Sequence, residues 1–326
     1  MSKIKTEDIA EKSGCSLATV SRYFNKPELL SDRTKEKIET VIKELNYNQN
    51  NLARMLKTGK SEFVGIIFPH LQLGFYSELL NQLIEQGKSL GYKFIVYTSN
   101  DSKDSELQLI NDLISYNIKG LILLSHLLDS SEIEELSIPV ITIERAGGNF
   151  MQIESDNFTG GKLAGELLIK KTCDVFIHIN NDYLEELPSF NRILGFEFIV
   201  KNYPYELIIE KKLSLPHSIE AEKAMNLLLT NLLEKYPDKK IGIFCSNDDI
   251  ANLVLKYSIK NSIAIPERIE IIGYDNSPVS DYAPFPITSI EQNIPLMAQI
   301  ALESLDNYKA YKSIVPAKLI EKETTS

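Results

Sequence analysis

Cysteine is scarce in this chain. Cys15, Cys173 and Cys245 lie scattered over 326 residues, too few and too far apart for a disulfide framework. Reduced, structural thiols are expected. The four histidines, His70, His126, His178 and His217, lack metal-ligand spacing, so no metal site is expected either. No segment approaches the about 18 uncharged apolar residues of a membrane-spanning helix. The start, MSKIKTEDIAEKSG, has no apolar stretch of the kind a secretory signal carries, which predicts a cytoplasmic protein without membrane contact. Tandem repeats and low-complexity tracts are absent. So are a phosphate loop and a nucleophile–base constellation, and no catalytic residue, cofactor or enzymatic activity is expected.

What is present divides unevenly along the chain. The net charge is −10, but residues 1–60 hold 12 Lys/Arg against 8 Asp/Glu, leaving the remainder strongly acidic. A small basic head on an acidic body suits a polyanion contact confined to the head. The head carries helical signals alone. Helices are predicted over 7–13 (capped by Thr6, stopped by Gly14), 17–24 (capped by Ser16) and 32–45 (capped by Ser31), then a short one over 52–57.

After residue 61 the pattern becomes strand and helix in alternation. Strands are predicted at 63–68, 93–98, 118–124 and 138–143, then 174–179, 206–210, 241–245 and 269–273. Helices fall between them at 75–90 and 104–116, then 158–171, 190–202, 219–235 and 249–260. This rhythm predicts parallel sheets with helices on both faces, and its length fits two such units better than one.

Two short helices joined by a tight turn have helix-turn-helix geometry, in which the second helix enters the major groove. In SLATVSRYFN, residues 16–25, Val20 and Phe24 are expected to pack inward. Leu17, Ala18 and Arg22 face outward as base readers, Arg22 being suited to guanine and the two small apolar side chains to thymine methyls. Ser16, Thr19, Ser21 and Asn25 are phosphate-contact types, as is Asn50 further along. A three-helix bundle with one solvated face is the plainer alternative. The 50–58 stretch is too short to be a stable isolated helix, and Leu56, with Ala53, suits insertion into a minor groove. A plain interdomain linker is the alternative there.

The runs EDIAEKSGCSLATVSRYFN and SDRTKEKIETVIKELNYNQNNLARMLKTGKS resemble the lactose-repressor (LacI/GalR) family. ATVSR followed by LARMLKTG is a specific combination. The resemblance implies base reading by Leu17, Ala18 and Arg22, and a hinge helix over 50–58 with Leu56 as the wedge. Gln49 stands where the family usually has Pro. The implied fold is α + α/β: a three-helix helix-turn-helix head over 1–48, a hinge helix and linker over 49–60, then a two-lobe periplasmic-binding-protein-like effector domain over 61–326. Lobe one would span about 61–158 and 290–313, and lobe two about 159–289 and 314–326, with crossings near 157–162, 284–291 and 311–316.

Further motifs match the family position by position. IPVITIER (138–145) is similar to a strand ending in Asp-Arg, with Glu144 replacing the Asp. SDNFTGG (155–161), RILGF (192–196), CSNDDIA (245–251), IIGYDN (271–276) and SIEQNI (289–294) match in turn. The resemblance implies an effector cleft lined by Phe75, Tyr76, Glu144, Arg192, Asn247, Asp248, Asp275 and Gln292, whose donors, acceptors and apolar rings suit a polyhydroxylated ligand. Asp248 as a bare helix cap, Arg192 as an ion-pair partner and Phe75 as core remain the plainer alternatives. Leu73-Gly74 replaces the family's Asn-Pro. LSLPHS (213–218) lacks a stacking aromatic, for which His217 is a substitute. The implied function is a DNA-binding transcription regulator, a repressor of a carbohydrate-utilisation operon. A homodimer would bind double-stranded, pseudo-palindromic operator DNA, and a sugar or sugar phosphate in the cleft would change its affinity. A purine or phosphorylated metabolite as effector, a global or activating role, and a cytoplasmic solute-binding protein without regulation are the alternatives.

Overall fold

The computed structural model describes residues 4–47, 61–99, 102–180, 187–203, 206–210 and 219–326. The chain forms two compact units, Met1–Lys60 and Ser61–Ser326.

In the first unit, α1 (Thr6–Ser13) ends where Gly14 adopts φ 63°, its N–H bonding back to the carbonyls of Ala10 and Glu11. That left-handed conformation favours glycine. The start of α1 differs from expectation. Lys5 rather than Thr6 is the N-cap, because the Asp8 carboxylate accepts the Lys5 backbone N–H at 2.6 Å and so fixes the first turn one residue earlier. In α2 (Leu17–Asn25) the Ser16 hydroxyl accepts from the Thr19 N–H, and in α3 (Asp32–Leu45) Ser31 does the same for Thr34. The stripe spacing brings Ile9, Val20, Ile38 and Val41 together as the core, with Tyr23, Phe24 and Tyr47 packed around it.

The second unit holds two six-stranded sheets. The first contains β1 (Phe63–Phe68), β2 (Lys93–Thr98), β3 (Gly120–Leu123), β4 (Val140–Ile143), β5 (Met151–Ser155) and β11 (Lys312–Val315), in the order β11-β5-β4-β3-β1-β2 and parallel throughout. The second contains β6 (Val175–Ile179), β7 (Glu206–Glu210), β8 (Ile241–Cys245), β9 (Ile269–Asp275), β10 (Thr288–Glu291) and β12 (Lys318–Ile320), in the order β12-β10-β9-β8-β6-β7. It is parallel except at β12. Runs such as FVGIIF and IGIFC read as continuously apolar because helices cover both faces of each sheet. On the first sheet these include α4 (Gly74–Ser89), α5 (Lys103–Ser115), α6 (Ser130–Glu134) and α12 (Ile294–Asp306). On the second they include α7 (Asn157–Lys170), α8 (Phe190–Val200), α9 (Ile219–Lys235) and α10 (Asp248–Lys260), while the short α11 (Pro278–Tyr282) packs against α10.

The chain crosses between lobes three times, and the limits sit slightly off those expected. The first crossing is at Asp156, between β5 and α7. The second falls at Gln292 and Asn293, because β10 still pairs with β9 in the second sheet before α12 returns to the first. The third lies between β11 and β12. Seven of these helices and strands went unread in the sequence: β5, β10, β11, β12, α6, α11 and α12. The four strands are only three to five residues long. They are too brief for periodicity to declare them.

In both sheets the strand order reverses beside the first strand, between β1 and β3 and between β6 and β8. Ligands bind beyond the carboxyl ends of parallel strands at such reversals. The topology therefore places the cleft before any side chain is considered.

Candidate DNA-binding and effector sites

In the helical head, Leu17, Ala18 and Arg22 are all exposed, whereas Val20 is fully buried. Residues 17, 18 and 22 share one side of α2 because positions four apart recur on the same helix face. The Ser16 and Thr19 hydroxyls bond each other at 2.8 Å. Asn25 Nδ2 donates to the Ser21 carbonyl at 2.8 Å. These links hold the polar flank of α2 in one conformation. Asn50, Ala53 and Leu56 lie outside the described residues, as does His217.

In the second unit a cavity of about 240 Å³ opens at the carboxyl ends of the strands. Phe75, Tyr76, Glu144, Arg192, Asn247, Asp275 and Gln292 line it. Arg192 is drawn into place by close helix contact: a Cβ on Gly161 would sit 2.1 Å from the Arg192 carbonyl oxygen, and one on Gly195 2.0 Å from that of Phe158. From this position Arg192 Nε donates to Asn157 Oδ1 at 2.7 Å, and Nη1 to the Ser246 carbonyl at 2.6 Å. The guanidinium lies 3.7 Å from the centre of the Tyr274 ring. It also stands 3.8 Å from both Glu144 Oε2 and Asp275 Oδ1.

Those two carboxylates sit at strand ends in the left-handed region, Glu144 at φ 55° and Asp275 at φ 103°. Such residues carry backbone strain of about 1–3 kcal/mol each and cluster where geometry serves function. Glu144 accepts from the Ser155 N–H at 2.6 Å and from Asn157 Nδ2 at 2.9 Å, which ties the end of β4 to the first crossing. Gln292 Nε2 donates to Asp275 Oδ1 at 2.5 Å. Burial pushes both carboxyls above the usual carboxylate range, and Arg192 opposes the shift at each. Asn247 lines the cavity and caps α10, its side-chain oxygen accepting from the Ile250 N–H at 2.9 Å. Phe75 is 6% exposed and belongs to the core as well as to the cavity wall. Tyr76 meets it edge-on with ring centres 5.6 Å apart.

Asp248 departs from expectation. It is completely buried and does not line the cavity. Its carboxylate accepts from the Ser277 N–H at 2.7 Å, the Ser277 hydroxyl at 2.9 Å and the Ser289 hydroxyl at 2.6 Å. It braces the turn after β9, and so Asp275, from behind. Burial raises its pKa to about 7.

The sequence reading missed His70 and His126, which also line the cavity, and the supporting Tyr274, Asn157 and Ser246. The signal for the histidines was positional: each follows a strand, β1 or β3, on either side of the order reversal. Among the described residues there is no group of three metal-ligating side chains and no helix long and apolar enough to cross a membrane.

Comparison with known proteins accords with this geometry. The family model for bacterial regulatory proteins of the lacI family matches residues 5–50, and a periplasmic binding protein-like domain matches 185–325. The sucrose operon repressor of Streptococcus mutans serotype c is 33% identical over 98% of this chain and 99% of its own length. This chain belongs to the LacI family. The ribose operon repressor of Halalkalibacterium halodurans is 29% identical over 98% of this chain and 96% of its own. The lac repressor dimer bound to operator superposes with a TM-score of 0.83 at 20% identity, covering 99% of each chain. This LacI-family protein thus combines a DNA-binding helix-turn-helix head with an effector-binding domain, the build of a transcription regulator.

Proposed function

We propose that this regulator binds a pseudo-palindromic operator as a homodimer in the cytoplasm. On this reading it represses a carbohydrate-utilisation operon, and a sugar in the inter-lobe cavity alters its operator affinity. The observation that carries the reading is the Glu144–Arg192–Asp275 cluster. Glu144 belongs to the first lobe, Arg192 and Asp275 to the second, and Gln292 to the crossing between them. Gaps of 3.8 Å exceed a hydrogen-bonded ion pair, so a ligand hydroxyl set between the partners adds bonds to both lobes at once. A ligand with such differential contacts shifts the balance between lobe arrangements. A cavity of about 240 Å³ is small beside the about 300–1,000 Å³ of drug-sized sites, which favours a small ligand. Relatives named for sucrose and ribose operons support the carbohydrate assignment. Leu17, Ala18 and Arg22 read bases, while Ser16, Thr19, Ser21, Asn25 and Asn50 contact backbone, and Ala53 and Leu56 enter the minor groove.

The test is a titration of full-length protein against a palindromic duplex selected from random sequence, with sucrose, D-fructose or D-ribose present. One sugar should change operator affinity about 5–150-fold. Asp275→Asn should remove that change and keep the sugar-free affinity. An undiminished response in this variant would place the effector elsewhere.

A further inference from the structure

The charges around the cavity specify the effector further, provided the cavity is the effector site as proposed. Arg192 is the one cationic side chain among the described residues that line it. Its nitrogens are already engaged by Asn157 and the Ser246 carbonyl, its face by Tyr274, and its charge by two carboxylates. Arg145 lies behind the wall and is turned away, donating to the carbonyls of Ser125 and Leu128. His126 does line the cavity, yet burial and the neighbouring Arg145 drive its pKa down to about 4, so it adds no positive charge near neutral pH. Two polar atoms of lining residues also lack a hydrogen-bond partner: the buried His126 Nδ1 and the buried Gln292 Oε1. Among the described lining residues, Glu144, Asp275 and the Gln292 carbonyl oxygen are acceptors, and the Nδ1 of a neutral imidazole either accepts or donates. Hydroxyl groups satisfy such a wall, and an anion does not.

We infer that the cavity takes an uncharged polyol and rejects its phosphate esters, with His126 as one of the residues that read the hydroxyls. A phosphoryl group would bring negative charge against Glu144 and Asp275, with no uncompensated cation among the described lining residues to meet it. The imidazole, held neutral, acts as a hydrogen-bonding group and not as an anion receptor.

Calorimetry on the full-length protein tests this with matched pairs: D-fructose and D-fructose 6-phosphate, D-ribose and D-ribose 5-phosphate, sucrose and sucrose 6-phosphate, with inorganic phosphate alone as a further probe. One free sugar should bind, and its ester at least about tenfold more weakly, a gap of about 1.4 kcal/mol. His126→Leu should raise the Kd of the free sugar about two- to tenfold, the worth of one neutral hydrogen bond. His126→Gln should retain more of the affinity than His126→Leu, and His126→Lys should narrow the gap between sugar and ester. An ester, or phosphate itself, that binds as tightly as the free sugar overturns the inference. Unchanged sugar affinity in His126→Leu overturns the role of that residue. Failure of every sugar to bind in either form removes the proposed effector site, and this inference with it.

Discussion

Replacing Arg192 by Met removes the charge that holds two buried carboxyls on opposite lobes while keeping most of the side-chain volume. Arg192 is 5% exposed, and Asp275 is equally buried. Stripping the cation from a buried pair costs about 3–5 kcal/mol, because the remaining charge is left uncompensated. The carboxyls can escape this by taking up protons. Burial already raises both, and Arg192 is what opposes that rise. Without it their folded pKa values climb further above the unfolded ones. A carboxyl whose folded pKa is raised makes the folded state bind more protons than the unfolded state. Stability then falls as pH increases above the unfolded pKa and levels off beyond the folded one. The deficit of Arg192→Met against the parent should therefore be small near pH 5 and approach its full size near pH 8. Urea denaturation followed by circular dichroism across that range measures it. A deficit independent of pH would show that the lost stability came from packing, and the reasoning about paired charge would be wrong.

Other consequences are open to direct measurement. Arg22→Ala should cost about 1–3 kcal/mol on the selected operator and much less on random duplex; equal losses on both would rule out base reading. Gly161→Ala would bring a methyl group to 2.1 Å from the Arg192 carbonyl. It should lower stability by about 1–3 kcal/mol and weaken the sugar response, measured by thermal denaturation with and without sugar. The Asp248 carboxyl, raised from 3.8 to about 7, favours the folded state when protonated, so it contributes a loss of stability as pH rises between those values. Asp248→Asn should flatten that portion of the stability–pH curve, even though it also surrenders hydrogen bonds from Ser277 and Ser289.

Long, strongly periodic elements were legible in the sequence. The Ser31 cap announced α3, and uninterrupted apolar runs announced β1 and β8, because burial on both faces of a sheet writes itself into residue order. The short strands were not, since β10 to β12 owe their existence to pairing with distant partners. Thr6 failed as a cap because a carboxylate three residues from Lys5 competed successfully for the first turn. In the effector site, Arg192 and Asp275 were marked by motif. Asp248 was misread because the same motif supplies a cavity-lining Asn247 and, one residue on, a side chain pointing into the protein. Nothing local in the sequence distinguishes the two. His70 and His126 carry no motif at all, and only the strand order makes their neighbourhood a binding site.

Sugar in the cavity and operator on the head are proposed to share one conformational equilibrium. This is tested most directly by measuring the coupling from both ends in one buffer. The factor by which a saturating sugar changes operator affinity, from fluorescence anisotropy, should equal the factor by which a saturating operator duplex changes sugar affinity, from calorimetry. Sugar binding that proceeds with the same Kd whether or not the operator is bound would contradict it.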